Sequence, residues 1–210
     1  MNTLEYILEK YVPISVTNQI MEIPNVTRDD LAALLPELDF KIGVEVGVAS
    51  GQYSKVISDC NPQMKLYGID PWASYSDYKD YVKKETFTYL EEEARKRLSR
   101  RSNYEFIKEY SVEAMKRFED NSIDFCYIDA NHEDPYITID IEGWYKKVKS
   151  GGIVSGHDFT KPKHANYNVI SAVMGFVERN KINPLIIWGL NGKANGLKRD
   201  TARSWMIVKP

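Results

Sequence analysis

Residues 42–51 read Ile-Gly-Val-Glu-Val-Gly-Val-Ala-Ser-Gly. The first five make a short β-rich run, Gly47–Gly51 a turn of small residues, and Tyr53–Ser58 the start of a helix. The same order recurs downstream. Lys65–Ile69 is a second strand closed by Asp70-Pro71, and Tyr104–Lys108 a third, followed by a helix from about Ser111 to Phe118. Ile123–Ile128 is almost continuously apolar, as in a strand buried on both faces. Ile137, Ile141, Trp144 and Val148 fall at helical spacing, and Ser150-Gly151-Gly152 is expected to end that helix before a fifth strand, Ile153–Ser155. Val169, Ile170, Val173, Phe176 and Val177 mark another amphipathic helix. Leu185–Trp188 and Trp205–Val208 close the pattern as two more strands. Seven strands alternating with helices predict an α/β fold with a mostly parallel sheet and helices on both faces. The last two strands lack room for a crossover helix between them, so they should pair as an antiparallel hairpin.

Upstream of this pattern, residues 3–12 can form a short amphipathic helix stopped by Pro13. Thr27 with Asp30 reads as a capped start of a second helix through Leu31, Leu34 and Leu35. Residues 1–38 are therefore expected to be a helical extension, serving as a substrate cap or a dimer contact, and residues 39–210 the main domain. The chain has 210 residues, is 43% hydrophobic and 28% charged, and balances 28 Lys and Arg against 30 acids. That composition excludes a disordered or disulfide-stapled chain. The near-zero net charge gives no global draw to nucleic acid or an anionic membrane. Two cysteines make no disulfide framework, Glu5 stands where a signal peptide would be apolar, and no apolar run approaches the ~18–20 residues of a membrane span. A soluble, cytoplasmic protein follows, with a homodimer as the commonest assembly for such a chain.

In an open α/β sheet ligands bind at the carboxyl ends of the strands. After the first comes Glu45-Val46-Gly47-Val48-Ala49-Ser50-Gly51, whose two glycines let a backbone approach a ligand closely. The spacing is Glu-x-Gly-x-x-x-Gly, not the Gly-x-Gly-x-x-Gly of dinucleotide sites, and it lacks the Lys-Ser/Thr of a phosphate loop. After the second strand comes Asp70-Pro71-Trp72. An acid roughly 20 residues past a glycine loop is placed to accept both hydroxyls of a ribose, although alone it could equally cap a helix. Trp72 offers a face for stacking or packing.

With these residues the sequence resembles the class I S-adenosylmethionine-dependent methyltransferases, whose Rossmann-like, seven-stranded sheet ends in an antiparallel hairpin. The stretches Ile128-Asp129-Ala130-Asn131-His132-Glu133 and Gly151-Gly152-Ile153-Val154-Ser155-Gly156-His157-Asp158 are similar to small-molecule O-methyltransferases of the macrocin and catechol types. The resemblance implies that S-adenosylmethionine is the cofactor. Gly47 and Gly51 would flank its methionine part, Glu45 would organise the loop, and Asp70, with Pro71 and Trp72, would bind at the ribose. Ser111 would lie by the adenine, and Asp129 would face the transferred methyl group and a small-molecule acceptor, methylated at oxygen.

All three histidines, His132, His157 and His164, lie within 33 residues, two of them just after strand ends. Metal-dependent relatives use an acid after the fourth strand and two ligands after the fifth, which here implies Asp129, His157 and Asp158. The catechol-type pattern has a carboxylate where His157 stands. Carboxylates suit Mg²⁺, while an imidazole moves preference toward Mn²⁺, Fe²⁺ or Zn²⁺. A metal-free account makes His132 or His157 the general base beside Asp129. A third has His157 and Asp158 merely capping the next segment. Rival functions stay open: an NAD-dependent oxidoreductase, a non-catalytic S-adenosylmethionine-binding protein, or a metal-dependent hydroxylase resembling the cephalosporin type. The tyrosine-rich stretch 72–89 reads as a lid. The basic run Arg95-Lys96-Arg97…Arg100-Arg101, balanced by Glu91, Glu92 and Glu93, reads as a solvated helix face rather than an RNA contact. Arg199 and Arg203 could touch an acidic substrate.

Overall fold

The computed structural model of the chain describes residues 1–12, 19–74, 84–161, 168–189 and 202–210. His164, Arg199 and the tyrosines at 75, 78 and 81 lie outside the described residues. The strands are β1 (Ile20–Ile23), β2 (Ile42–Val46), β3 (Lys65–Ile69), β4 (Tyr104–Ile107), β5 (Ile123–Ile128), β6 (Val148–Gly156), β7 (Leu185–Trp188) and β8 (Ser204–Val208). The α-helices are α1 (Thr3–Tyr11), α2 (Arg28–Leu34), α3 (Gln52–Cys60), α4 (Lys84–Leu98), α5 (Ser111–Ala114), α6 (Tyr136–Lys147) and α7 (Val169–Arg179).

One sheet holds all eight strands in the order β1-β7-β8-β6-β5-β2-β3-β4. Every pairing is parallel except the two made by β8, which lies antiparallel to both β6 and β7. The C-terminal hairpin thus stands as expected. The eighth strand is a correction: β1 lies within the segment read as wholly helical and pairs with β7. Four residues, Ile-Met-Glu-Ile, at a sheet edge are too short for a period to declare itself.

The strands' alternation splits the core in two. Phe125 and Tyr127 of β5 face a cluster with Ile7, Leu31, Leu34 and Trp188, on the side of α1 to α3. Cys126 and Ile128 face the opposite cluster with Ile141, Trp144, Val173 and Phe176, under α6 and α7. The near-continuous apolar run of β5 therefore reflects burial on both faces. A second correction concerns α6, which ends at Lys147 rather than at Gly151-Gly152. Val148 already pairs with Ile123, and the register shifts before Phe125 meets Ile153, so the glycines form an irregularity inside β6. Gly151, at φ +79°, supplies the left-handed residue there.

Chain order reverses across β2 and β5. From β2 the chain runs outward to β3 and β4, then returns to β5 on β2's other side. A crevice opens outside the carboxyl ends at such a switch point. Here Asp129 N–H donates to Val46 O at 2.7 Å, and a Cβ on Gly47 would stand 2.0 Å from Asp129 O. Only glycine, at φ +94°, lets the two strand ends meet so closely.

Candidate active site

A cavity of about 440 Å³ lies at this switch point. One wall is the loop after β2, with Gly47 to Ser50, together with Asp70, Pro71 and Trp72 after β3. The other carries Asp129 to His132 after β5 and His157-Asp158 after β6. Glu45 and Ser111 also line it, so every residue expected to hold the cofactor borders the cavity except Gly51, which caps α3.

The first wall is fixed by backbone bonds. Asp70 Oδ2 accepts the amides of Val48 at 3.0 Å and Ala49 at 2.9 Å, while its Oδ1 accepts that of Trp72 at 2.7 Å. The carboxylate ties the two turns together, and its remaining lone pairs are what a ligand hydroxyl could use. Burial raises the pKa of Asp70, opposed by those amide bonds. Trp72 turns back on the loop. Its Nε1 donates to Ala49 O at 2.9 Å, and the ring is buried in a cluster with Val48 and Ala94. Ala49 and Trp72 both hold positive φ, at 47° and 42°, a strained pairing stabilised by these bonds. Helix α4 supports the loop from behind. Arg97 donates to Ser50 O, and Ala94 and Leu98 leave no room for a side chain at Gly51. The basic residues of this helix pair with neighbouring acids: Arg95 with Glu91, Arg97 with Glu93, and Arg101, just beyond the helix, with Asp59. The run is largely ion-paired, with Arg95 and Lys96 facing solvent and Arg97 and Arg101 drawn in against the loop and α3.

Glu45 is buried and accepts a hydrogen bond from Ser54 Oγ. Desolvation pushes its pKa up to about 8, against the Ser54 bond and the Arg28 charge. Ser111 Oγ donates to Asp140 Oδ1 at 2.5 Å and accepts from Trp144 Nε1 at 2.8 Å. Asp140 is itself buried, and desolvation takes its pKa to about 7.

The second wall is a knot of charge. His132 Nε2 lies 3.1 Å from Asp158 Oδ2 and 3.4 Å from Asp129 Oδ1, while His157 Nδ1 lies 3.2 Å from the same Asp158 oxygen. Burial alone would lower the His132 pKa, but its bonds to the two carboxylates prevail and raise it to about 10. Burial opposes ionisation of Asp158, yet the two imidazoles hold its pKa well below the usual carboxylate range. Asp158 keeps φ at +55°. Asp129, His132 and Asp158 each place one donor atom within 4.8 Å of the others, a grouping that could hold a metal ion. The expected third ligand was His157. The imidazole within reach of both carboxylates is instead His132, three residues after Asp129.

Three cavity or near-cavity residues had no role in the sequence reading. Arg28, at the start of α2, brings its guanidinium 3.5 Å from Asp129 Oδ2. Asn131 is buried, fixed by accepting the Glu133 amide at 3.0 Å, and its Nδ2 has no hydrogen-bond partner among the described residues. Asp140 stands behind Ser111. Asn131 could have been found as a polar residue at a strand end; Arg28 lies about 100 residues from its partner, and nothing local announces the contact. Arg203 pairs with Glu22 at 2.7 Å.

Among the described residues no helix is long and apolar enough to cross a membrane. The family model of the methyltransferase domain matches residues 42–159, more than half of the chain. No curated protein matches the sequence. Solved structures do. An O-methyltransferase family protein from Burkholderia thailandensis superposes with TM-score 0.60 at 12% identity, over 87% of this chain and 55% of that one. The chain thus spans about half the length of that protein. An O-methyltransferase of tomaymycin synthesis from Streptomyces achromogenes, solved with SAM, gives 0.56 at 15% identity over 90% and 84%. The precorrin 8w decarboxylase of Methanobacterium thermoautotrophicum gives 0.58 at 14% over 94% and 100%. At such identities these likenesses speak for the fold alone.

Proposed function

We propose that the chain, which belongs to the methyltransferase-domain family, is a class I S-adenosylmethionine-dependent methyltransferase that methylates a hydroxyl oxygen of a small-molecule acceptor. The observation that carries this reading is the shared cavity at the switch point. A glycine loop with its acid forms one wall, and a cluster of acids and imidazoles the other. Reactants held on the two walls meet where Gly47 and Asp129 touch.

The residues fit the cofactor. Gly47 borders the cavity with backbone alone, since a Cβ there would run into Asp129 O, and Asp70 lies on the cavity with lone pairs beyond those its three amides use. S-adenosylmethionine supplies a methyl group already activated on a sulfonium. What remains for the chain is to position two reactants and to take charge of the acceptor's proton. Pre-organisation of such a pair is worth several kcal/mol of the barrier. Asp129 and Asp158 gather negative charge on the acceptor wall, and the Asn131 amide offers a buried donor to an acceptor oxygen.

The residues also fit a divalent ion. Two carboxylates and one imidazole on Asp129, His132 and Asp158 make a mixed set that suits Mn²⁺, Fe²⁺ or Zn²⁺ better than Mg²⁺. An ion there would lower the pKa of an acceptor hydroxyl. Without one, the proton on His132 Nε2 is held between two carboxylates, so this imidazole is a poor base near neutral pH. That favours metal assistance over a His132 base. The two thiols, Cys60 and Cys126, are unpaired, in keeping with a reducing cytoplasm.

The test is a thermal-shift series with S-adenosylmethionine, S-adenosylhomocysteine and NAD, each with and without Mn²⁺. A ligand at ~100 times its Kd adds about 2.7 kcal/mol, or roughly 5–11 °C in Tm for a chain of this size. The expected result is a shift with the two sulfur ligands, a further shift with Mn²⁺, and none with NAD. A shift with NAD alone would put the oxidoreductase first.

A further inference from the structure

Among the described residues lining the acceptor wall, Asn131 is the one carboxamide, and it is 1% exposed. The turn that carries it is fixed from two sides. Asn131 Oδ1 accepts the Glu133 amide at 3.0 Å. Asn168 donates its own amide to His132 O at 2.8 Å and accepts that of Asp134 on Oδ1 at 3.1 Å. The Glu133 bond also fixes which way the carboxamide faces, because the flipped group would set donor against donor. The Nδ2 end, turned away from Glu133, has no hydrogen-bond partner among the described residues. A buried donor left unpaired is costly and calls for an explanation. The other polar groups of the wall are of a different kind. Asp129 and Asp158, when ionised, only accept, and the imidazoles of His132 and His157 lie against these carboxylates. Asn131 thus gives the wall a neutral donor that no carboxylate takes up.

We propose that Asn131 selects oxygen over nitrogen as the atom that receives the methyl group, by donating an Nδ2 hydrogen to the acceptor oxygen as it attacks. The assignment rests on the cofactor and acceptor reading above. In the transfer, one lone pair of the hydroxyl oxygen forms the bond to the methyl carbon. The carbon–sulfur bond breaks, its electron pair returns to sulfur in S-adenosylhomocysteine, and the hydroxyl proton passes to a carboxylate of the same wall. The oxygen keeps a second lone pair throughout, and that pair can accept from Asn131. A neutral amine attacks with its only lone pair and becomes an ammonium, so it has nothing to offer the amide while it reacts. The Asn131 donor would then stay buried and unpaired in the transition state. A site built around a hydrogen bond rejects an analogue that cannot make it. The carboxylates draw no such distinction, since they accept an N–H as readily as an O–H.

The experiment uses S-adenosylmethionine isotopically labelled in its methyl carbon. Three probes are offered to the wild-type protein, Asn131→Ala and Asn131→Ser: ortho-aminophenol and glucosamine, which each carry a hydroxyl beside an amine, and a deproteinised cell extract. Carbon NMR reads the ratio of oxygen-bound to nitrogen-bound methyl. The expected result is methyl on oxygen in the wild type and a ratio at least tenfold lower in Asn131→Ala. Asn131→Ser, which keeps a shorter donor, should fall between the two. Calorimetric titration of S-adenosylhomocysteine is the folding control, with both variants expected within about threefold of the wild type. An unchanged ratio, with or without a slower reaction, would overturn the assignment and leave Asn131 only holding its turn. Methyl mainly on nitrogen in the wild type would overturn it too, together with the choice of oxygen on which it rests. Wild-type protein that binds S-adenosylhomocysteine but labels nothing in the three probes would overturn the small-molecule acceptor and the assignment with it. Wild-type protein that does not bind S-adenosylhomocysteine would refute the cofactor reading itself.

Discussion

The two walls of the cavity are made differently. The cofactor wall comes from two nearby stretches, residues 45–51 and 70–72, and is held mainly by backbone amides on one carboxylate. The acceptor wall draws Asp129, His132, His157 and Asp158 from two separate parts of the chain and is held by side-chain charge. Backbone bonds and glycine geometry fix a shape that a universal cofactor can share across proteins. A side-chain cluster can be rebuilt without disturbing the sheet, which is where acceptor specificity has room to change.

The largest expected effect is on the cofactor wall. Gly47→Ala forces a Cβ into Asp129 O and a positive φ onto alanine. It should abolish S-adenosylhomocysteine binding in calorimetry and cost about 3 kcal/mol of stability, seen as a Tm roughly 6–12 °C lower. An alanine variant that still binds would show that the two strand ends need not touch. Asp158→Asn comes next, on the other wall. It takes a shared carboxylate from two imidazoles and should cost about 2 kcal/mol by chemical denaturation, while S-adenosylhomocysteine affinity stays within about threefold. A large loss of affinity would merge the two walls into one.

Glu45 and Asp140 yield a pH effect of known sign. Both have folded pKa values raised above the unfolded ones, to about 8 and about 7. Between the unfolded values near 4 and these, the folded state holds protons that the unfolded state has released. Stability therefore falls as pH rises through this window, by up to about 1.4 kcal/mol per pH unit for each group. Tm measured from pH 5 to pH 8 should decline in the wild type, and Glu45→Gln should flatten the decline. A Glu45→Gln profile parallel to the wild type would mean that Glu45 is ionised where it is buried. The smallest effect expected is from Trp72→Phe, which removes the Nε1 bond to Ala49 O and costs about 1 kcal/mol in denaturant unfolding. It should weaken the cofactor only a few-fold.

This difference between the walls also explains what the sequence made legible. The runs at 42–46, 65–69 and 123–128 declare themselves because their apolar residues are buried on both faces. The loop and Asp70 follow directly from strand ends. Strand β1 did not declare itself, since four edge residues carry no period. The α6 boundary shifted because a paired glycine, usually a helix stop, here serves an irregular strand. On the acceptor wall the sequence named Asp129, His132, His157 and Asp158, but not which imidazole stands between the carboxylates. That choice depends on where β5 and β6 deliver their last residues, and a separation of 25 positions between the histidines does not encode it. Arg28 was invisible for the same reason, more strongly.

The central claim is that cofactor and acceptor are handled by separate walls of one cavity. Its most direct test is titration of S-adenosylhomocysteine into Asp70→Ala and Asp129→Ala beside the wild type. The account predicts that Asp70→Ala, which releases three loop amides, weakens binding about 100-fold or more, while Asp129→Ala stays within about threefold. Equal losses in the two variants, or a larger loss at Asp129, would contradict it.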